Sequence, residues 1–86
     1  MSSSTVDTRP LARAVRVTSE VLEVTLTDGR RLSLPIMWFP RLEGASVEDR
    51  AAWELLGDGE GIRWPELDED LTVAGLLAGR RASESK

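Results

Sequence analysis

The chain has 86 residues, of which 30% are charged and 41% apolar, and its 15 acids against 11 bases give a net charge of −4. It contains no cysteine, histidine or tyrosine. These absences rule out a disulfide framework, a zinc–thiolate site, a thiol nucleophile, a serine–histidine dyad and an imidazole switch, and the acidic balance argues against non-specific nucleic-acid binding, which draws its affinity from Lys and Arg on phosphate.

The length fits one small domain, which buries only roughly 60–65% of its unfolded surface. Without a covalent staple, stability has to come from a compact core, a partner, or both. No apolar run approaches the ~20 residues of a membrane helix. The first dozen residues lack the apolar centre of a secretory signal, so a cytoplasmic protein is expected.

Residues 1–11, with Ser2, Ser3, Ser4 and Pro10, read as a disordered arm, and residues 80–86 as a polar tail. The expected domain is residues 12–79. Charge is uneven along it. Residues 1–42 carry six bases and four acids, residues 43–70 two bases and ten acids, and residues 71–86 three bases and one acid. The central block is expected to form an electronegative surface.

Ala14–Thr18, Val21–Leu26 and Arg31–Leu34 alternate with period two and are rich in Val, Leu and Thr, which predicts three strands. Register decides the turn after the second strand. A two-residue loop at Asp28-Gly29 would set Leu26 against Arg31 and mix polar with apolar on one face. A three-residue loop, Thr27-Asp28-Gly29 with Gly29 left-handed, sets Val24 against Leu32 and Leu22 against Leu34. A tight first connection at Ser19-Glu20 sets Val17 against Leu22 and Val15 against Val24. The expected buried face is Val15, Val17, Leu22, Val24, Leu32 and Leu34, joined by Leu26 and Ile36. Arg16, Glu23, Thr25, Arg31 and Ser33 face solvent.

Pro35 and Pro40 keep residues 36–41 out of a central strand or a helix interior. Ser46 caps a helix expected over Val47–Leu56, with Asp49 at the third helical position and Gly57 as the stop. Val47, Ala51 and Leu55 form its stripe. Trp53 falls off that stripe and is either a flank of the core or an exposed contact. Gly57-Asp58-Gly59-Glu60-Gly61 lacks the lysine and following hydroxyl of a phosphate loop. Ile62–Trp64 is extended, stopped by Pro65, and Thr72 caps a last helix, Val73–Ala78, ended by Gly79.

The turn at Asp28-Gly29, Pro40 and Leu42 before a capped helix, and the string Trp64-Pro65-Glu66-Leu67-Asp68-Glu69-Asp70 leading to Leu76-Leu77-Ala78-Gly79 resemble the bacterial family Domain of Unknown Function 2442. The resemblance spans about residues 13–79. It implies an α+β, two-layer fold: an antiparallel three-stranded meander plus a short fourth strand packed against two short helices, in the order β3-α-β-α. It also implies a small bacterial protein. Some members are encoded beside another small family of unknown function, in a layout of the toxin–antitoxin kind. Some carry a C-terminal helix-turn-helix, for which no room is expected before Lys86.

The acidic string has three readings: a hard-cation site, a surface docking a basic partner, and acids at the positive end of the last helix. No calcium-loop pattern, nucleophile, oxyanion hole or cofactor loop is present, so no catalytic, cofactor or metal residues are expected. The expectation is a non-enzymatic interaction protein, antitoxin-like or inhibitory. Its partner-binding residues are Trp53, Asp58, Glu60, Glu66, Asp68, Glu69 and Asp70. The alternatives are an accessory module acting with a nucleic-acid-binding complex, or a phage-encoded inhibitor of a host nuclease. Homo-oligomerisation stays open.

Overall fold

Three antiparallel strands open the computed structural model, which describes residues 10–79: β1 (Ala12–Val17), β2 (Val21–Leu26) and β3 (Arg31–Pro35), in the order β1-β2-β3. The register follows the apolar alternation. Val15 faces Val24, Val17 faces Leu22, Leu22 faces Leu34 and Val24 faces Leu32. Leu22, Val24 and Leu26 are fully buried, and Val17, Leu32 and Leu34 pack against the core at its rim. The second turn has the expected three-residue loop: Leu26 N–H donates to Arg30 C=O at 2.8 Å and Gly29 has φ +95°. Its Asp28 carboxylate accepts from Arg30 N–H (3.0 Å) and Arg30 Nε (2.8 Å). The backbone donor is the main reason Asp28 stays charged below the usual carboxylate range.

β1 begins two residues before the expected strand, with a register shift between Ala12 and Ala14 that makes Arg13 a bulge. Residues 1–9 of the expected arm and residues 80–86 of the expected tail lie outside the described residues. Pro10 and Leu11 do not, and the Leu11 carbonyl accepts from Thr27 N–H at 2.9 Å. Leu11 is therefore tied to the sheet.

A 3₁₀ turn (Ile36–Trp38) and a one-turn helix, α1 (Pro40–Glu43), follow β3. Pro40 sits where a helix needs no N–H, at its first residue. Ile36, Phe39 and Leu42 send their side chains into the core. The next helix, α2, spans Val47–Ala51, and its cap is the expected one, with Ser46 Oγ accepting from Asp49 N–H at 3.1 Å. Ser46→Ala is expected to lower stability by about 1 kcal/mol, read by urea unfolding.

α2 is half the predicted length. Glu54–Leu56 leave the helix and form a strand, β4, while Val47 is 74% exposed and Ala51 also faces solvent. Of the predicted stripe, Leu55 alone packs against the core. Cross-strand pairing of Leu55 with Ile62 and Leu56 with Gly61 wins instead. The extended segment after the glycine-rich turn is β5 (Gly61–Trp64). It lies at the centre of a second antiparallel sheet, β4-β5-β6, with β6 at Glu69–Thr72. The fourth strand thus nucleates a sheet of its own rather than extending the meander, and the domain is α+β as expected. α3 (Val73–Leu77) ends it, capped by Thr72 Oγ1 accepting from Gly75 N–H at 3.0 Å.

The two sheets meet at the β4–β5 turn. Ala12 N–H donates to Gly59 C=O at 2.7 Å, and Val73 N–H donates to Glu60 C=O at 2.9 Å. One four-residue turn therefore anchors both the start of the meander and the start of α3. Among the described residues, no helix is long and apolar enough to cross a membrane.

Candidate functional site

Strand parity sorts the acidic string. On β5–β6 the pairs Trp64–Glu69 and Ile62–Leu71 point inward, while Arg63 points outward between Glu54 on β4 and Asp70 on β6. Trp64 and Ile62 have no exposed surface, and Glu69 is 7% exposed. Glu66, Asp68 and Asp70 are exposed. Between the strands, Pro65–Leu67 form a 3₁₀ turn and Asp68 turns the chain with φ +54°. Aspartate tolerates this left-handed conformation better than most residues. The four carboxylates therefore do not share one face. Residues one apart on a strand go to opposite sides, and sequence proximity could not reveal which ones.

Arg41, on α1, holds this corner. Its Nη1 donates to the Asp68 carbonyl and lies 3.7 Å from Glu69 Oε1. Arg41, Asp68, Glu69 and Asp70 line a cleft of about 260 Å³. Burial is the main cause raising the Glu69 carboxyl above its ordinary value of 4.5, with Asp70 and Asp68 adding to it and Arg41 opposing it. The folded protein thus holds the Glu69 proton more tightly than the unfolded chain. Stability is expected to be greatest below pH 4.5 as far as this group is concerned, and to fall as pH rises through the raised value. Denaturant midpoints of wild type and Glu69→Gln across pH 4–8 check this; the glutamine variant is expected to lose that part of the slope.

A second knot supports the corner. Arg50, on α2, donates from Nε to Leu42 C=O (2.9 Å) and from Nη2 to Glu43 C=O (2.7 Å), capping α1. The Arg50 carbonyl accepts from the Trp64 indole N–H at 3.1 Å. Arg50→Ala is expected to cost about 2 kcal/mol by chemical denaturation, because two charged hydrogen bonds vanish together.

The remaining site residues expected from sequence fall elsewhere. Trp53 is half-buried and packs against the core, so it flanks the core rather than standing out as a contact. Asp58 and Glu60 lie in the turn before β5, whereas Glu66 and Asp68 follow it. At ~3.3 Å per residue the four-residue strand separates the two groups by about 13 Å. Arg41 and Arg50 were not singled out from the sequence. Arg41 meets a partner 27 residues away, and no local spacing announces that. Asp70 lies 3.9 Å from Arg63 Nε, with both side chains exposed, a separation that adds little to stability. Among the described residues, no group of three or more Asp or Glu side chains is placed to hold a metal ion.

Comparison with known proteins points the same way as the fold. No curated protein matches the sequence significantly. A crystal structure of a protein of unknown function from Rhodospirillum rubrum is similar at 36% identity and a TM-score of 0.74, covering 88% of this chain and 94% of that one. A solution structure of an uncharacterised protein from Chromobacterium violaceum is similar at 30% identity and a TM-score of 0.72, covering 86% of this chain and 70% of that one. The family model for proteins of unknown function DUF2442 matches residues 12–82. With the meander, the second sheet and the Trp64–Asp70 corner in place, the chain belongs to the DUF2442 family.

Proposed function

We propose that this chain is a non-enzymatic, cytoplasmic protein-binding module of antitoxin-like or inhibitory type. It docks a basic partner protein through the carboxylates exposed around the β5–β6 turn. The supporting observation is the excess of exposed acids over bases at that corner. Glu66, Asp68 and Asp70 are exposed, and of the nearby cations Arg41 holds the Asp68 carbonyl and lies near Glu69, Arg50 holds two carbonyls, and Arg63 lies 3.9 Å from Asp70. Residues 36–79 carry ten acids against three bases. Such a field speeds the approach of a basic surface and disfavours an acidic one. Glu69 belongs to the scaffold beneath the surface, and Trp53, Asp58 and Glu60 lie outside it.

Affinity capture from extract of the source cells tests this, with wild type beside Glu66→Gln/Asp68→Asn/Asp70→Asn. The expected result is one basic protein retained by wild type and released by the triple variant. Equal retention by both, or no specific partner, contradicts the reading. A second reading, an accessory module beside nucleic acid, draws on Arg13, Arg16, Arg30 and Arg31, all exposed on the meander. A gel shift at physiological salt, alone and with the captured partner, distinguishes the two.

A further inference from the structure

The arginines of the described residues divide into two sets. Arg30 is held by Asp28, Arg41 by the Asp68 carbonyl and Arg50 by two carbonyls, and Arg63 lies 3.9 Å from Asp70. Arg13, Arg16 and Arg31 are exposed and make no side-chain hydrogen bond or ion pair among the described residues. All three belong to the meander. Strand pairing sorts its outward face into rows: Val21 with Pro35 at one end, then Arg16, Glu23 and Ser33, then Ala14, Thr25 and Arg31. Arg13 is exposed in the bulge next to Ala14. Glu23 is the one acid on these rows. The net charge of −4 conceals this segregation, because the field at a surface follows the charges near it rather than their sum over the chain.

We infer that this face rests on the phosphate backbone of a nucleic-acid double helix. The inference extends the second reading above and does not depend on the acidic corner. Three features select that occupant. Arg16 and Arg31 are two strands and two residues apart, about 12 Å between Cα atoms, and Glu23 and Thr25 fill the ground between them. A lone phosphate there would meet the Glu23 carboxylate, whereas a chain of phosphates offers each arginine its own. The rows carry no aromatic side chain, and their large apolar residues, Val21 and Pro35, lie together at one end. The face therefore lacks the central apolar anchors of a protein interface and the stacking platform of a single-strand site. Thr25 and Ser33 add hydroxyl groups, which with arginine are ordinary phosphate contacts; such contacts place a protein on a duplex without reading its sequence.

Fluorescence anisotropy with a labelled DNA duplex of mixed sequence tests this at low salt, with wild type, Arg16→Gln/Arg31→Gln and Glu23→Gln. Melting curves confirm that the variants fold. Wild type is expected to bind, its affinity falling with salt on a log–log slope of about −3 as three phosphates are neutralised. The double variant is expected to bind more weakly and to lower the steepness by about 2. Glu23→Gln is expected to tighten binding, a gain that a merely structural role does not produce. No binding by wild type at low salt overturns the inference, and so does a single strand of the same sequence held more tightly than the duplex. A folded double variant that binds with the wild-type slope also overturns it, yet leaves the second reading standing, with the contact on another face.

Discussion

Gly59→Ala is expected to destabilise the domain by about 3 kcal/mol or more, through backbone strain, steric overlap and a displaced hydrogen bond together. Gly59 has φ +110°, a conformation that side-chain-bearing residues rarely adopt. A Cβ there would overlap the Ala12 carbonyl oxygen and stand 3.1 Å from Ala12 N. Both are backbone atoms, so neither can swing aside. Ala12 N–H also donates to Gly59 C=O at 2.7 Å, and moving the turn to relieve the overlap stretches that bond. The damage falls where the first sheet is fastened to the second. Gly29→Ala is the control. Its φ is +95°, yet nothing lies within 4 Å of the added carbon, so it loses only the conformational part, about 1 kcal/mol. Urea unfolding of both variants checks the difference, and equal losses would show that the Ala12 contact is not what matters.

Trp64→Ala carries the other large effect, a loss of about 3–5 kcal/mol. Trp64 is the largest fully buried side chain, and its indole N–H bonds to the Arg50 carbonyl at 3.1 Å. Removing it opens a cavity between the second sheet and the helices. It also frees α2, whose Arg50 caps α1. Because Trp64 is the cross-strand neighbour of Glu69, the cavity admits water to that carboxylate. The pH dependence of stability attributed to Glu69 is then expected to shrink. Trp64→Phe separates the terms: it keeps most of the volume and drops the N–H, so a smaller loss of about 1–2 kcal/mol is expected. Small domains have stabilities of only about 5–15 kcal/mol, so thermal unfolding resolves these variants readily.

The meander was legible because its information is local. Alternation in Val21–Leu26 and Arg31–Leu34, together with one left-handed glycine, leaves a single register that keeps the leucines on one face, and the observed pairs are those. Ser46 and Thr72 were legible as caps for the same reason, since each reaches a backbone N–H three residues on. Glu54–Leu56 were not. Over Val47–Leu56 the apolar spacing predicts a helix, and what overrides it at Glu54–Leu56 is pairing with Ile62 and Gly61 across a turn. The acidic string was visible as composition but not as geometry. Glu69 and Asp70 are adjacent in sequence, and the parity of β6 sends one against Trp64 and the other into solvent. Arg41, which closes that corner, comes from a helix 27 residues earlier than the carbonyl it holds.

The most direct test of the docking account is an amide NMR titration of isotope-labelled protein with its captured basic partner. The account predicts that shift changes centre on residues 65–71 and Arg41, and that they weaken as salt is added. Shift changes centred on the Arg16, Glu23 and Arg31 face of the meander, with residues 65–71 undisturbed, would contradict it.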